Sequence, residues 1–200
     1  MNNNKANTYL SVLLCLMIGF SLSSCTKEQV QQEEKQAFTQ YFKGTVGTQA
    51  INVRNTLRDD DRSQLQGSWS GLDIAIGNQI EIYTVNVKLP KELLNTTNEA
   101  KLRFQINNIQ KKQYQINVDD PYETDFGTFI YLMKNPGLDN QVIYQTSSLK
   151  KPFNIEITKY EFPNGDILPM VGGKLNGVLY NEKNLMDSVV IQNGDFEVWR

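Results

Sequence analysis

The largest local group of acidic side chains lies between Asp119 and Asp125. Asp119, Asp120, Glu123 and Asp125 place four carboxyl groups within seven residues. Carboxylate oxygens are ligands that Ca²⁺ prefers, so the segment is a weak candidate for a calcium site. Its spacing departs from the Asp-x-Asn-x-Asp-Gly pattern of known calcium loops, and Asp120-Pro121 is ordinary turn chemistry. We therefore predict a solvated loop without metal, and keep calcium binding and a glycosidase acid pair as alternatives.

A second acidic run, Asp59-Asp60-Asp61, is flanked by Arg58 and Arg62. Three consecutive side chains on a strand point to alternating sides, so only a tight loop would bring these carboxylates together. The two arginines would also compete with a cation. A solvated charged loop is again the preferred interpretation.

Aromatic residues are the other candidates for ligand contact. Aromatic rings stack on the apolar faces of sugars, and the polar tips of Tyr and Trp form hydrogen bonds. Six aromatic residues could include a stacking platform, although packing of the sheets is the preferred interpretation for them: Trp69, Tyr83, Tyr114, Tyr122, Tyr131 and Tyr144. Trp69 and Tyr122 lie between turn-like residues, so they are the candidates for an exposed, ligand-stacking pair.

The absent residue types exclude many enzyme classes. The chain has no histidine and two cysteines, Cys15 and Cys25. Ser-His-Asp catalysis, Cys-His catalysis and histidine metal sites are therefore excluded. The formal charge is -2 and no basic block is visible, which argues against nucleic-acid binding. We expect no cofactor and no catalysis, with a hydrolase that uses carboxylates alone as the alternative.

The first 24 residues have the layout of a secretion signal. Lys5 and the amino terminus precede an apolar run from Tyr9 to Leu22. That run has 14 residues, whereas a membrane-spanning helix needs about 20. Leu22-Ser23-Ser24-Cys25 resembles a bacterial lipobox. The resemblance implies cleavage between Ser24 and Cys25, acylation of the Cys25 thiol by fatty acids such as palmitate, and attachment to a lipid bilayer.

The segment 25–36 follows as a short tether. Its residues from Thr26 onward include one apolar side chain and no aromatic, too few to offset the entropy of ordering. Thr26 stands where Asp would suggest inner-membrane retention, so we expect the outer membrane. Lys27-Glu28 partly resembles an export signal for surface lipoproteins. The periplasmic and the surface-exposed leaflet both stay open.

Residues 37–200 are predicted to form a single all-β domain. Apolar residues alternate with polar ones, as in Leu102-Arg103-Phe104-Gln105-Ile106, and turn signals recur every 8 to 12 residues. No sustained helical period is present. The pattern predicts an antiparallel sandwich or flattened barrel of roughly ten strands.

Local patterns add sharper predictions. Ile80 and Ile82 are even-numbered, whereas Val85 and Val87 are odd-numbered, so we predict a bulge near Tyr83-Thr84. Residues 90–94 are predicted to form one helical turn, and the apolar run 128–133 a central strand. Asn193-Gly194 is predicted to be a turn into a final strand.

Residues 153–198 contain Ile155-Glu156-Ile157-Thr158-Lys159 and close on Asn193-Gly194-Asp195-Phe196. With the lipobox and the opening segment 38–44, they resemble a group of uncharacterised Bacteroidota lipoproteins. The resemblance implies a β-domain of unknown function and carries no catalytic residues over. Asp187-Ser188-Val189 also resembles the O-glycosylation signal used in Bacteroidota, which makes Ser188 a candidate modification site, with a plain strand start as the alternative.

These observations favour a lipid-anchored, non-catalytic module that binds a glycan or an envelope protein. The alternatives are a carboxylate-dependent, glycan-active hydrolase and a purely structural envelope component. An exposed aromatic strip would favour glycan binding, and aligned carboxylates in a cleft would favour the hydrolase.

Overall fold

The structure is a computed structural model that describes residues 39–56, 64–75, 78–119, 127–163 and 166–199. Within these ranges we number eleven strands and one helical turn in chain order. They are β1 (Thr39–Val46), β2 (Gln49–Thr56), β3 (Leu65–Ala75), β4 (Asn78–Leu89), α1 (Lys91–Leu94), β5 (Ala100–Asn107), β6 (Gln113–Ile116), β7 (Phe129–Lys134), β8 (Val142–Gln145), β9 (Phe153–Glu161), β10 (Met170–Asn181) and β11 (Asn184–Trp199). In the described part of the chain, no helix has both the length and the apolar character needed to cross a membrane.

The strands form one antiparallel, nearly closed, barrel-like sheet in the order β2-β1-β11-β10-β8-β7-β5-β4-β3. Strand β10 pairs with β9 over its first half and with β8 at its end, and β9 pairs in turn with β6. The two outer strands of this order, β2 and β3, approach each other where Asn55 Nδ2 donates a hydrogen bond of 3.3 Å to the Leu65 carbonyl. The predicted all-β class is confirmed.

Alternating side chains fill the barrel, as the period of two predicts. Phe42, Phe104, Phe153 and Phe196 are almost fully buried, and Phe104 meets Phe196 edge to face with ring centroids 4.9 Å apart. Strand β7 lies between β5 and β8 and is buried on both faces from its first residue, so the predicted central strand is confirmed.

The bulge predicted near Tyr83-Thr84 is wrong. Strand β4 pairs with β5 without a register shift from Ile82 to Leu89. Tyr83 belongs to the main core with the odd-numbered residues of β4, whereas Ile82 and Thr84 are buried on the opposite face. The change of parity therefore reflects a strand that is buried on both faces.

The turn predicted at Asn193-Gly194 is a bulge inside β11. Lys43 pairs with Asp195 while Thr45 pairs with Gln192, so β11 holds one residue more than its neighbour. Asn193 has a φ of 51°, and asparagine tolerates this left-handed conformation. A β-carbon on Gly194 would lie 2.7 Å from Leu175 Cβ, so glycine permits the tight packing against β10. The Asn-Gly pair is used for a bulge rather than a hairpin loop.

Four residues on neighbouring strands define one end of the barrel. Tyr41 pairs with Glu197, Glu197 with Gly172, and Gly172 with Lys159. Beyond this row, β1 begins, β11 ends, β10 begins and β9 ends. We call this end the mouth. The hairpin between β10 and β11, at residues 182–183, marks the opposite end.

Candidate binding site

A carboxyl group and three aromatic rings meet at the mouth. Tyr160 Oη donates a short hydrogen bond to Glu81 Oε2, and Phe162 packs edge to face on both Tyr160 and Trp69. The ring centroids are 5.5 Å apart for Tyr160 and Phe162, and 6.5 Å apart for Trp69 and Phe162. We call these four residues, Trp69, Glu81, Tyr160 and Phe162, the mouth cluster.

Strands β3 and β4 place Trp69 and Glu81 on the inner side of the sheet. Trp69 pairs with Tyr83 in the antiparallel register, and Tyr83 belongs to the main core. Glu81 lies two residues before Tyr83, so its side chain leaves β4 on the same face. The Glu81 carbonyl also accepts a hydrogen bond of 3.1 Å from the Ile109 amide, which fixes the backbone there.

A bulge in β9 turns Tyr160 and Phe162 inward. Gly173 pairs with Ile157 while Gly172 pairs with Lys159, so Thr158 is an extra residue on β9. The inner face changes from odd to even positions across this bulge, and Tyr160 therefore packs against the core as Ile157 does. A β-carbon on Gly173 would lie 2.2 Å from the Glu156 carbonyl oxygen, so glycine is required where the strands come together.

Burial keeps the phenols of the mouth in their neutral form. Burial and then the hydrogen bond to Glu81 raise the pKa of Tyr160. Burial, with a smaller contribution from Tyr160, raises the pKa of Tyr83, whose hydroxyl donates to the Val198 carbonyl at 3.4 Å. Tyr114 lies beside them, and burial raises its pKa too. The tyrosines therefore act as hydrogen-bond donors and apolar surfaces at physiological pH.

Trp69 has a buried donor beside the Tyr160 hydroxyl. Within the described part of the chain, its Nε1 makes no hydrogen bond of acceptable geometry, although it lies near enough to the Tyr160 hydroxyl to lower the pKa of that phenol. The Trp69 side chain itself is half-buried, whereas Phe162 is 46% exposed. The cluster thus has an enclosed polar side and an open aromatic side.

Two other acidic residues around the mouth, Glu161 and Glu197, are engaged by lysines. Glu161 pairs with Lys111 at 3.2 Å, and Glu197 pairs with Lys159 at 2.9 Å. Among the described residues, the hydrogen bond from Tyr160 is the one that the Glu81 side chain accepts. A carboxyl group accepts several hydrogen bonds, so Glu81 keeps acceptor capacity for a ligand with hydroxyl groups.

Of the predicted stacking pair, Trp69 lies in the mouth cluster and Tyr122 falls outside the described residues. Trp69 stands within β3 rather than between turns, and it contributes to core packing, so it is less exposed than predicted. The structure instead gives it Tyr160 and Phe162 as neighbours, neither of which was predicted to belong to a site.

Of the weak calcium candidates, the structure describes Asp119 alone. Asp120, Glu123 and Asp125 fall outside the described residues, as does the run Asp59-Asp60-Asp61. Asp119 accepts hydrogen bonds from the Ser148 amide, at 2.8 Å, and from the Ser148 hydroxyl, and these bonds lower its pKa. Asp119 therefore fastens the loop after β8. Within the described ranges, no group of three or more acidic, Cys or His side chains could hold a metal ion.

The candidate glycosylation site, Ser188, is exposed on β11 near the opposite end. Its neighbour Asp187 accepts hydrogen bonds from Tyr144 Oη at 3.0 Å and from Asn181 Nδ2 at 2.9 Å. Asp187, the aspartate of the glycosylation signal, is therefore held by hydrogen bonds within the fold, whereas the Ser188 side chain is exposed to solvent. Ser24 and Cys25, the proposed cleavage and acylation site, lie outside the described residues.

A concavity at the opposite end lacks the chemistry of the mouth. It has a volume of about 700 Å³ and is lined mainly by polar and charged residues, including Lys88, Glu99 and Lys101. No aromatic residue is among the described residues that line it, and Lys88 and Glu99 approach each other at 4.0 Å. The mouth cluster is therefore the better candidate for a site of recognition.

Residues 39–199 match the family model described as a domain of unknown function, DUF5025. No match is found among curated proteins or among solved structures. The family match runs from β1 to β11 and includes all four residues of the mouth cluster. The expected membership of an uncharacterised family is confirmed at this level, and function rests on the geometry of the site.

Proposed function

The chain belongs to the DUF5025 family, and we propose that it is a lipid-anchored, non-catalytic module whose mouth cluster binds a neutral carbohydrate. The observation that carries the proposal is Glu81, a carboxyl group with spare acceptor capacity set among aromatic rings. Sugars present hydroxyl groups on their edges and apolar C–H faces, so a ligand of this kind uses both parts of the cluster.

The anchor is the second part of the proposal. The residues that support it are the apolar run before Leu22-Ser23-Ser24-Cys25 and the resemblance to Bacteroidota lipoproteins. Cys25 is the sole cysteine that remains once residues 1–24 are removed, so its thiol is free to carry lipid. We place the protein in the outer membrane, with the leaflet open. Stable anchoring needs more than one acyl chain, as the thioether-linked lipid of such proteins supplies.

Carbohydrate binding is tested with the mature chain against immobilised mannan, β-glucan, xylan and chitin oligosaccharides. We expect one of these to bind, and Glu81→Gln to weaken its binding by about 10-fold or more, because a hydrogen bond to a charged group contributes about 1.5–3 kcal/mol. The matched control is Glu161→Gln, which removes a carboxylate at the same end that is paired with Lys111. No binding to any of the four glycans, or equal losses in both variants, would contradict the proposal.

The hydrolase alternative shares the same carboxyl group. A glycosidase needs a second carboxyl about 5–10 Å from the first, and Glu161 and Glu197, which flank the mouth, are paired with lysines. Release of reducing ends from any of these glycans, abolished by Glu81→Gln, would replace binding by hydrolysis. A chain that neither binds nor cleaves a glycan would favour the structural envelope component.

A further inference from the structure

The acidic side chains at the mouth differ in whether a cation lies beside them. Glu161 and Glu197 each form an ion pair with a lysine, at 3.2 Å and 2.9 Å. Glu81 is half-buried, and within the described part of the chain its side chain accepts the hydrogen bond from Tyr160 but forms no ion pair. A neutral phenol does not balance the charge of a carboxylate. Glu81 is therefore an acidic group at the mouth to which the described residues bring no counterion.

The lysines that flank the mouth already have partners. Lys111 and Lys159 are the cations of the two ion pairs just described. Lys112 Nζ lies 5.0 Å from the centroid of the Tyr114 ring. A half-buried carboxylate is stabilised by a nearby cation, because burial removes part of its hydration. A positively charged ligand would supply at Glu81 what the lysines supply to the neighbouring acids.

The aromatic side chains of the mouth cluster suit the same kind of ligand. Tyr160 contacts Glu81, and Phe162 packs edge to face on Tyr160, with ring centroids 5.5 Å apart, and on Trp69. An ammonium group within about 6 Å of a ring centroid is attracted by the negative face of the ring, most strongly for Trp. A carboxylate beside aromatic rings thus offers an ammonium group two kinds of electrostatic attraction at one place.

We propose that the mouth cluster binds a sugar that carries a protonated amino group, such as glucosamine, more tightly than the neutral N-acetyl form of the same sugar. The inference rests on the proposed function and extends it, because it takes the mouth as the carbohydrate site and adds a charged sugar to the neutral ones. The ammonium group pairs with Glu81, and the C–H face of the ring packs on Phe162, which is 46% exposed. The amino group is attached directly to the sugar ring, so one sugar unit makes both contacts.

A lysine side chain of a partner protein is the other common source of an ammonium group. Its flexible chain has no rigid apolar face to set against Phe162, and holding it in one conformation costs side-chain entropy. An amino sugar therefore uses more of the mouth cluster than a lysine side chain does.

The experiment compares chitin and chitosan oligosaccharides of equal length, which differ in acetylation and therefore in charge. Binding of each to the mature chain is measured by isothermal titration calorimetry in a mildly acidic buffer, in which the amino groups of chitosan are protonated. Glu81→Gln removes the carboxylate charge but keeps an oxygen that can accept from Tyr160. The matched control, Glu161→Gln, removes a carboxylate at the same end that is paired with Lys111, and it changes the net charge by the same amount.

We expect the wild type to bind the chitosan oligosaccharide about 10-fold more tightly than the chitin oligosaccharide, because a charge-assisted contact is about twice as strong as a neutral one. Glu81→Gln should bring the two affinities close to equal. Glu161→Gln should keep the preference for chitosan.

A preference for chitosan that survives Glu81→Gln would come from the net negative charge of the protein, which is formally -2 for the whole chain, and would overturn the inference. Equal affinities of the wild type for both oligosaccharides would also overturn it, while leaving the proposed function in place. Binding of a lysine peptide at least as tight as that of chitosan would assign the mouth to a protein partner instead. A chain that binds none of the glycans would contradict the proposed function itself, and the inference with it.

Discussion

Each end of the barrel holds a tyrosine that donates a hydrogen bond to a carboxyl group. At the opposite end, Tyr144 donates to Asp187, which also accepts from Asn181 and lies within electrostatic reach of Lys134. At the mouth, Tyr160 donates to Glu81, and among the described residues no second side-chain donor reaches the Glu81 carboxyl group. The Asp187 carboxyl group thus accepts two side-chain hydrogen bonds within the fold, whereas the Glu81 carboxyl group accepts one.

The two pairs show how one chemical contact serves two purposes. The bonds from Asn181 and then Tyr144 lower the pKa of Asp187, and burial followed by Asp187 raises the pKa of Tyr144 to about 12. These shifts are typical of a contact that stabilises the fold. The Tyr160–Glu81 pair lies instead among aromatic rings, one of them nearly half exposed. We infer that the partner missing from this pair is a ligand.

The largest expected effect on stability comes from Gly173→Ala, which is directed at the Tyr160–Glu81 pair of the mouth. The added β-carbon would overlap the Glu156 carbonyl oxygen, so the bulge that turns Tyr160 inward would have to reorganise. We expect the free energy of unfolding to fall by about 3 kcal/mol or more, measured by urea denaturation. The pair at the opposite end lies beside a separate register shift, between Tyr180 and Asn181, which this substitution does not touch.

Gly47→Ala is the control for this prediction. Gly47 has a φ of 63° but open space where a β-carbon would be placed, so we expect a cost of about 1 kcal/mol. A loss in Gly173→Ala no greater than that in Gly47→Ala would mean that the bulge tolerates a side chain.

An intermediate effect separates the two tyrosines directly. Tyr160→Phe leaves the half-buried Glu81 side chain without its donor, and we expect a loss of about 1–2 kcal/mol in urea denaturation. Tyr144→Phe leaves Asp187 with Asn181, so its loss should be smaller, about 1 kcal/mol or less. Equal losses of stability would show that Glu81 and Asp187 are equally well supplied with hydrogen-bond donors. That result would contradict the contrast between the two ends of the barrel.

The smallest expected effect is a dependence of the free energy of unfolding on pH. The folded pKa of Asp187 lies below its unfolded value of about 3.9, so its contribution is complete above that value and disappears as pH falls through the folded pKa. We expect Asp187→Asn to lose less stability than the wild type between about pH 5 and pH 3, in urea denaturation at each pH. Parallel curves for the two proteins would contradict this, and solvent screening keeps the difference small.

Alternation of apolar and polar residues predicts most of the fold. Strands such as β5 and β9 bury one face and show it directly in the sequence, as Leu102, Phe104 and Ile106 do. The predictions fail where a neighbouring strand or a second buried face also constrains a residue. Ile82 is apolar because the outer face of β4 is also buried, and Asn193-Gly194 forms a bulge because strands lie on both sides of β11. A short sequence motif reveals neither the burial of the outer face of β4 nor the strands on both sides of β11.

The mouth cluster was only partly predictable. Glu81 shares the parity of Tyr83, Val85 and Val87, so a charged residue in an inward series was a signal that could have been found. Tyr160 offered no such signal, because it is out of phase with Ile155 and Ile157 until the bulge at Thr158 is known. The juxtaposition of β9 with β4 follows from the closing of the barrel, which local patterns do not encode.

The pairing of β1 with β11 sets an order on folding. Tyr41 reaches Asp195 across 154 positions, and Phe42 packs beside Phe196 in the register. As the chain is made from its amino end, β1 can pair with β2 and β3 to β9 can find partners early, whereas the β1–β2 hairpin joins the rest of the sheet only when β11 has been made. Loss of the last dozen residues would therefore release a strand from each side of β11 and leave both as open edges for aggregation.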